Sequence, residues 1–538
     1  MLKILNGQAK TVTSAAIIIA GATLINKFVG LARDRAIAHY FGAGPITDAY
    51  YAAFKIPDFI YTLLVVGALT AGFIPTFTKL LNLGDNKKAA WRLSSNILNI
   101  LFLALLVFCG LGIIFTPQVA RLVGAGFSAS TLQTVETFTR ILFLSPIFLG
   151  LSMVMGGILQ SLRRFVLYSL APIFYNAGII IGIVVLVPII GVSGLAWGVI
   201  LGAFLHFIIQ FFGARQAGYR WQWVLDWKDA GTRLIGKLMI PRTLGLAVSQ
   251  THTIITTILA SLLPAGSVAA YTFADNLHSV PVGIIGISFA IAIFPVLSTA
   301  VARNDQNSFK RNLTATIRQI IFLITPITVI FLLLRAQIVR VVLGSGAFNL
   351  TATIDTANAL AFFAFSILAE CLAPLLARAF FALSDTKTPL FTSLFGSGTG
   401  ILAALILMRP WGIAGLALAG VISSGVNVSL LFFLLHRKNK SVEGKSILSA
   451  IYRIGSAGLA MAVVTQLMKY PLAAIFDQNY FFGIFGQGLI AGLAGLAIYA
   501  LICYILRLPE LNDFIASLHR RWLKIRNMQA TELIETKD

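Results

Sequence analysis

Residues 165–214 read FVLYSLAPIFYNAGIIIGIVVLVPIIGVSGLAWGVILGAFLHFIIQFFGA and contain no Asp, Glu, Lys or Arg. The connection 188–193 divides this stretch into two apolar runs, each long enough to cross about 30 Å of hydrocarbon as a helix. Runs of this kind recur from one end of the chain to the other. The sequence therefore predicts an all-α, multi-pass membrane protein.

The composition agrees with this class. Of 538 residues, 58% are hydrophobic and 11% are charged, whereas soluble domains carry about 25% charged residues. Cys109, Cys371 and Cys503 all lie in apolar runs without metal-ligand spacing, so we interpret them as packing residues. No metal site or cofactor is predicted, and the coupling ion of any transport is left unassigned.

Counting the apolar runs gives about fourteen transmembrane spans. Their approximate ranges are 12–38, 46–80, 93–115, 132–160, 166–188, 193–214, 233–262, 267–301, 313–335, 353–383, 388–408, 412–435, 447–468 and 481–506.

The net charge of +22 follows the topology. Lys and Arg gather in every second connection, as the positive-inside rule describes, with Arg335 and Arg340 as the main exception. This pattern places both termini in the cytoplasm and argues against a nucleic-acid partner. Residues 509–538 are predicted to form a basic amphipathic helix on the inner leaflet and a tail. Its apolar positions are Phe514, Ile515, Leu518, Trp522 and Ile525.

An internal repeat relates the two halves of the chain. A shift of 220 residues places Ile74-Pro75 on Phe294-Pro295 and Tyr51 on Tyr271. Because the offset covers an even number of spans, both halves run the same way across the membrane. We expect a lobe at 1–230, a parallel lobe at 231–440, two extra spans at 441–508 and a central cavity between the lobes. This architecture is typical of a transporter.

Charged residues inside the spans mark the predicted cavity, because a charge in hydrocarbon costs at least about 2.5–3.5 kcal/mol on insertion scales. Lys27 and Arg33 are candidates for substrate binding, and the alternative is structural pairing with Asp34, Asp48 or Asp275. A structural or gating role is favoured for Asp48, Lys55 and Asp58. His252 and His278 are interpreted as ordinary hydrogen-bonded residues. No nucleotide-binding loop or nucleophile–base pair is present, so the sequence argues against an enzyme.

Several motifs resemble the MurJ (MviN) family. They are Gly30-Leu-Ala-Arg-Asp-Arg, Phe41-Gly-Ala-Gly, Thr47-Asp-Ala-Tyr-Tyr-Ala-Ala-Phe-Lys-Ile-Pro, Gly67-Ala-Leu-Thr-Ala-Gly-Phe-Ile-Pro, Tyr271-Thr-Phe-Ala-Asp and Phe380-Phe-Ala-Leu-Ser-Asp-Thr-Lys-Thr-Pro. The resemblance runs from about residue 10 to 506 and includes the fourteen-span count.

The resemblance implies the multidrug/oligosaccharidyl-lipid/polysaccharide exporter fold. Arg33, Asp34, Asp48, Lys55 and Asp275 match the family, and Lys27 stands where many members have arginine. The sequence departs from the family pattern where Tyr61 and Asn276 replace cavity arginines and Val66 replaces an acidic residue. The predicted substrate-binding residues are Lys27, Arg33, Lys55 and Asn276. The predicted gating or structural charges are Asp34, Asp48, Asp58, Asp275, Glu370 and Arg378.

The function that the resemblance implies is flipping of lipid II, an undecaprenyl-diphosphate-linked glycan, across the bacterial cytoplasmic (inner) membrane. Its partners would be this lipid, membrane lipids and cell-wall synthesis proteins. One alternative is a flippase for another polyprenyl-diphosphate glycan or a cation-coupled exporter. An alternative of another class is an envelope-synthesis scaffold that has lost transport.

Overall fold

A computed structural model describes residues 12–67, 69–82, 87–439 and 442–516, and the regular structure of these residues is helical. Twenty α-helices, here α1 to α20, follow one another. In order they are Val12–Phe41, Pro45–Ala53, Lys55–Tyr61, Ile74–Asn82, Lys87–Ile114, Thr116–Val123, Ala129–Leu142, Ser145–Ser161, Phe165–Ile181, Val187–Ile190, Ser193–Gln216, Ala230–Ser261, Ser267–Pro281, Ser288–Ala302, Gln306–Leu333, Arg335–Val342, Leu350–Ala382, Lys387–Asn439, Gly444–Ile475 and Phe481–Ile505. Short π-helical segments lie at Thr62–Val66, Leu69–Phe73, Gly182–Leu186 and Val282–Ile287.

The number of membrane crossings agrees with the sequence. Eleven helical stretches of the described chain are long and apolar enough to span a membrane. One of them, Lys387–Lys438, holds a backbone break at Gly412 and is long enough for two crossings. The more polar α1 and α12, with 30 and 32 residues, are also long enough to cross. Counting both halves of α18 together with these two helices gives fourteen crossings.

An ion pair shows that α18 is a hairpin rather than one long rod. Lys438 near its end donates to Asp385 just before its start, at 2.8 Å. The two ends of α18 therefore lie on the same side, and the chain turns back at Gly412, where φ is +54°. The lysine, together with the Thr388 backbone amide, holds the pKa of Asp385 at about 2.

The predicted internal repeat is visible in the backbone. The π-helical segment that begins at Thr62 has a counterpart that begins at Val282, 220 residues later. Left-handed residues recur in the same way, with Arg163 matched by Ser384. The repeat also contains two eight-residue helices, α6 and α16, that the sequence analysis did not predict. Arg335 and Arg340, the exception to the charge alternation, belong to α16 and so lie between spans.

The described chain forms two compact units. Unit 1 comprises the described parts of Met1–Ala274, Val342–Ala359 and Ile401–Ala419, and unit 2 comprises those of Asp275–Val341, Leu360–Gly400 and Gly420–Asp538. Unit 1 thus holds the first six spans and the seventh, α12. Unit 2 contains a buried apolar cluster to which α19 and α20, the two spans beyond the repeat, both contribute side chains. These units do not coincide with the predicted lobes, whose bounds stay a prediction.

Glycines let the two charge-free spans of the opening stretch touch along their backbones. A Cβ on Gly198 would lie 2.6 Å from the Cα of Gly182, and a Cβ on Gly178 would overlap the backbone of Gly202. Without a hydrophobic driving force between helices in lipid, such close approach supplies much of the packing energy. This contact explains how α9 and α11 associate without any charged residue.

The start of the predicted C-terminal helix is anchored to unit 2. Residues 509–516 are helical, and Glu510 accepts a hydrogen bond from Nε of Arg318 at 2.6 Å. Arg318 also donates to the Ser446 hydroxyl at 2.9 Å. Phe514 and Ile515 are exposed, as an amphipathic helix requires. The remaining predicted apolar positions, from Leu518 onward, lie outside the described residues.

The glycine contact predicts opposite effects for two alanine substitutions. Gly198→Ala should lower the free energy of unfolding by about 1–3 kcal/mol, because its methyl group enters a filled space. Gly245→Ala on α12, where a Cβ meets no atom within 4 Å, should leave it unchanged or raise it by up to about 1 kcal/mol. Thermal unfolding of both purified variants in the same detergent measures the difference. Equal melting temperatures for the two would contradict the packing role of Gly198.

Candidate functional site

The first polar cluster lies on α1 and α9 in unit 1. Arg33 donates from Nη2 and Nε to one oxygen of Asp34, at 2.7 and 3.0 Å, and from Nη1 to the side-chain oxygen of Asn176 at 3.0 Å. Asn176 in turn donates to Asn26 at 3.0 Å. Asp34 is buried, whereas the Arg33 side chain is 23% exposed. The guanidinium is therefore fixed in orientation, and part of the Arg33 side chain stays accessible.

Lys27 lies on the same helix, and none of the residues that the structure describes forms a hydrogen bond or ion pair with it. Gly30 stands between the two cations, and a Cβ there would meet no atom within 4 Å. Two positive groups thus border open space on one helix. We call Asn26, Lys27, Arg33 and Asp34 the α1 polar face. Its chemistry suits anionic oxygens, because a guanidinium forms paired hydrogen bonds and an ammonium adds a mobile charge.

Asp48 on α2 serves a different purpose. Its carboxylate accepts hydrogen bonds from the backbone amides of Gly266 and Ala269, the latter at 2.8 Å, at the start of α13. The side chain is 1% exposed. Two amides at a helix N-terminus satisfy a buried carboxylate well, since both its charge and its lone pairs find partners. This contact joins the second span to the eighth.

Backbone contacts surround the Asp48 cap. Ala347 donates to the carbonyl of His39 at 2.8 Å, and a Cβ on Gly42 would overlap the carbonyl of Ala347. Gly266, with φ of +95°, approaches the carbonyl of Ala43 in the same way. Three connections, after the first, seventh and ninth spans, therefore meet at one end of unit 1. The predicted topology places this end outside the cytoplasm.

The second span is also covered by α12 away from that end. Gln250 donates to the Thr62 hydroxyl at 3.1 Å, and Thr243 donates to the Leu63 carbonyl at 3.2 Å. A Cβ on Gly67 would overlap the Thr243 side chain. Lys55 and Asp58, three residues apart on α3, lie on one face of this span. Unit 1 is therefore closed along the second span.

Unit 2 contains the second polar cluster, which the sequence analysis had not assembled. His278 bonds through Nε2 to Glu370 at 2.9 Å, and its Nδ1 lies 3.4 Å from the Asp275 carboxylate. The ring is 3% exposed and stacks on Phe363 with centroids 4.8 Å apart. We call Asp275, His278 and Glu370 the triad. A sequence signal existed for the Asp275–His278 spacing on one helix, but none linked either residue to Glu370.

The other predicted site residues of unit 2 are placed separately. Arg378, on the same helix as Glu370, reaches the Ile287 carbonyl at 3.4 Å. Asn276 follows Asp275 on α13. The structure thus brings Arg33 to Asp34 and Asp275 to Glu370 through His278, and the functional roles of all ten predicted residues stay predictions. Asn176 and His278 are the additional polar residues that the structure contributes.

Comparison with known proteins gives a consistent family. Residues 37–486 match the family model described as Lipid II flippase MurJ. A protein of Buchnera aphidicola, named as a probable lipid II flippase MurJ, is 29% identical over 91% of this chain and 96% of its own length. A Vibrio cholerae protein of the same description is 28% identical over 95% of this chain and 98% of its own length.

Solved structures agree in fold. A lipid II flippase MurJ in an inward closed conformation superposes with a TM-score of 0.76 at 24% identity, covering 91% of this chain and 99% of that one. An inward-facing multidrug resistance transporter of the MATE family reaches 0.66 at 15% identity, covering 79% and 98%. At these identities the likeness establishes the fold alone.

The Asp48 cap predicts a graded loss of stability. Asp48→Ala should lower the free energy of unfolding by about 1–2 kcal/mol, because the amides of Gly266 and Ala269 lose their acceptor. Asp48→Asn keeps one carbonyl oxygen and should lose less. Thermal unfolding in detergent checks the order, with exposed Asp477→Ala as the matched control. If the melting temperature of Asp48→Ala equals that of the wild type, the cap is not a stabilising contact.

Proposed function

The chain belongs to the lipid II flippase MurJ family, and on that premise we propose that it flips lipid II from the inner to the outer leaflet by alternating access. The family model covers residues 37–486 of 538. The chain is a multi-pass membrane transporter, and we place it in the bacterial cytoplasmic membrane with both termini inside. Peptidoglycan synthesis would then depend on it, and cell-wall synthesis proteins would be its partners.

The observation that carries this proposal is the open space beside Lys27 and Arg33. A lipid-linked diphosphate presents anionic oxygens that a guanidinium binds in a planar, paired geometry. Arg33 is held by Asp34 and Asn176, so little side-chain entropy is lost when it binds. Lys27 supplies a second positive charge that the described residues leave unpaired.

Alternating access needs contacts that can break and re-form on a transport time scale. In unit 1 the second span is held by the Asp48 cap at one end and by Thr243 and Gln250 farther along. A hydrogen bond contributes about 0.5–1.5 kcal/mol net between neutral groups and about 1.5–3 kcal/mol when one group is charged. Each set of contacts is therefore weak enough to open, and states that differ by a few kcal/mol remain populated.

The polyprenyl tail is proposed to stay in lipid while the headgroup crosses. The spans α19 and α20 carry a continuous series of exposed apolar side chains, which suits contact with acyl or prenyl chains. These exposed side chains include Leu448, Ile451, Tyr452, Leu459, Leu467, Leu493 and Leu501. Because the tail never leaves hydrocarbon, the energetic cost of transport falls on the charged headgroup.

Substitution of the two cations tests the proposal. Arg33→Ala should slow headgroup translocation in proteoliposomes about 10- to 100-fold, since hydrogen bonds to charged groups contribute about 1.5–3 kcal/mol. Lys27→Ala should slow it about tenfold by the same reasoning. The translocation rate of Arg33→Lys should lie between those of the wild type and Arg33→Ala, because the charge remains but the paired geometry is lost. Translocation is read as accessibility of a labelled lipid II headgroup to an added enzyme.

The control is Arg121→Ala, which removes an exposed arginine from α6 of the same unit and should keep the wild-type rate. Undiminished translocation by a stably folded Arg33→Ala protein would remove Arg33 from the mechanism. The wild-type protein must also move lipid II at all, and rescue of a bacterium depleted of its own flippase is the cellular counterpart. A wild type that fails both would contradict the proposed function itself.

A further inference from the structure

The triad in unit 2 has no part in headgroup binding as described above. Its three members come from two helices, with Asp275 and His278 on α13 and Glu370 on α17. The charged side chains that face the His278 ring are Asp275 from its own helix and Glu370 from the other. The neutral groups beside the ring are Phe363 and the Ser366 hydroxyl, 3.4 Å from Nε2. A buried imidazole is thus enclosed by two acids inside a membrane protein.

Hydrogen-bond geometry defines the state of the ring. Nε2 faces Glu370, while Nδ1 faces both the carboxylate and, at 3.1 Å, the backbone carbonyl of Asp275. All these oxygens are acceptors when the acids are ionised. A neutral imidazole can donate from only one nitrogen, whereas an imidazolium donates from both. With both acids ionised, the observed distances suit an imidazolium that donates to two carboxylates.

The charge balance of the triad leaves room for one more proton. One imidazolium and two carboxylates carry a net charge of −1, which is costly within a membrane. A proton added to either carboxylate brings the net charge to zero. The three groups lie within hydrogen-bonding or ion-pair distance, so the added proton belongs to the cluster and not to a single residue. The side chains of Asp275 and Glu370 are 50% and 31% exposed, so the acids are accessible from outside the protein while the ring stays buried.

A metal ion is a poor alternative for this site. A histidine binds metal through a ring nitrogen that has no proton, and both nitrogens of His278 already face acceptors. The described residues contain no group of three or more His, Cys, Asp or Glu arranged to hold a metal ion. The chemistry of the cluster therefore favours a proton.

The surroundings can transmit protonation to the helices. His278 lies one turn before the π-helical segment Val282–Ile287, and such segments are frequent at functional sites. Gly286 in this segment packs against the backbone of Cys371, the residue after Glu370. A change in the His278–Glu370 bond thus acts one residue away from the contact between this π-helical segment and α17.

From this geometry we propose that Asp275, His278 and Glu370 form a proton-binding site that takes up one proton from water and releases it to water once per transport cycle. The proposal rests on the proposed function, because it assigns the coupling ion of that transport. Binding converts one carboxylate to a carboxylic acid and leaves the imidazolium unchanged. Release returns the same proton, so the cluster is restored at the end of the cycle.

Reconstituted protein tests the coupling. In proteoliposomes with the membrane potential clamped at zero, an imposed pH gradient should accelerate headgroup translocation by wild-type protein about tenfold, a size typical of linked sites. A trapped pH-sensitive dye should report proton movement at the same time. His278→Gln and Glu370→Gln should lose both responses while still binding lipid II in native mass spectrometry. His206→Gln should keep both responses, because the ring of that buried histidine of α11 bonds, among the described residues, to the neutral Ser152.

A second measurement does not depend on transport. Infrared difference spectra of purified protein between acidic and neutral pH should show a protonated-carboxyl band that is absent in Glu370→Gln. A missing band in the wild type, or full gradient acceleration in His278→Gln, would overturn the proposal. Acceleration by a sodium gradient in place of the pH gradient would also overturn it. A wild type that shows the band but never moves lipid II would instead contradict the proposed function and leave the proton site standing.

Discussion

Hydrocarbon offers no water, so each polar group within a span must find its partner in the protein or face a wet surface. This constraint explains why charge-free and charged helices of this chain make different kinds of contact. The charge-free helices α9 and α11 contact each other through glycine backbones. Charged side chains lie on other helices, and several of them meet a defined partner. Arg33 meets Asp34 and Asn176, and His278 meets two acids.

The degree to which a charge is satisfied separates structural from functional groups. Asp48 is almost fully buried, and its carboxylate accepts hydrogen bonds from two helix amides. This contact leaves no accessible carboxylate for a ligand. Arg33 has a counterion but borders open space beside Gly30. The triad holds more negative than positive charge. On the proposals made above, the three sites would therefore range from a closed contact, through an anion-binding surface, to a site that binds a proton.

The sequence was sufficient for the architecture and insufficient for the partners. Apolar run lengths predicted the crossings, and the 220-residue offset is confirmed by the π-helical segments at Thr62 and Val282. The partner of Asp48 is a pair of backbone amides more than 200 residues away, and backbone groups leave no trace in a residue pattern. Asn176 carries no signal in sequence, and Glu370 is predicted as a gating or structural charge without a partner, because only packing brings these residues to Arg33 and His278. The short helices α6 and α16 escaped prediction because eight residues give too few turns for a periodic signal.

Membrane potential connects the two polar sites whatever their separation, because it acts on the total charge that crosses the field. One charge moved through 100 mV is worth about 2.3 kcal/mol. With the cytoplasm negative, an anionic headgroup leaving the cell moves in the favourable direction. By the charge balance of the triad, a carrier that returns without the added proton moves a charge of −1 against the field, whereas the protonated triad is neutral and returns without that cost. On the mechanism proposed here, the potential would therefore favour both the outward step with the anion at Lys27 and Arg33 and, by comparison with an unprotonated return, the inward step with a proton at the triad, and neither step would require a nucleotide.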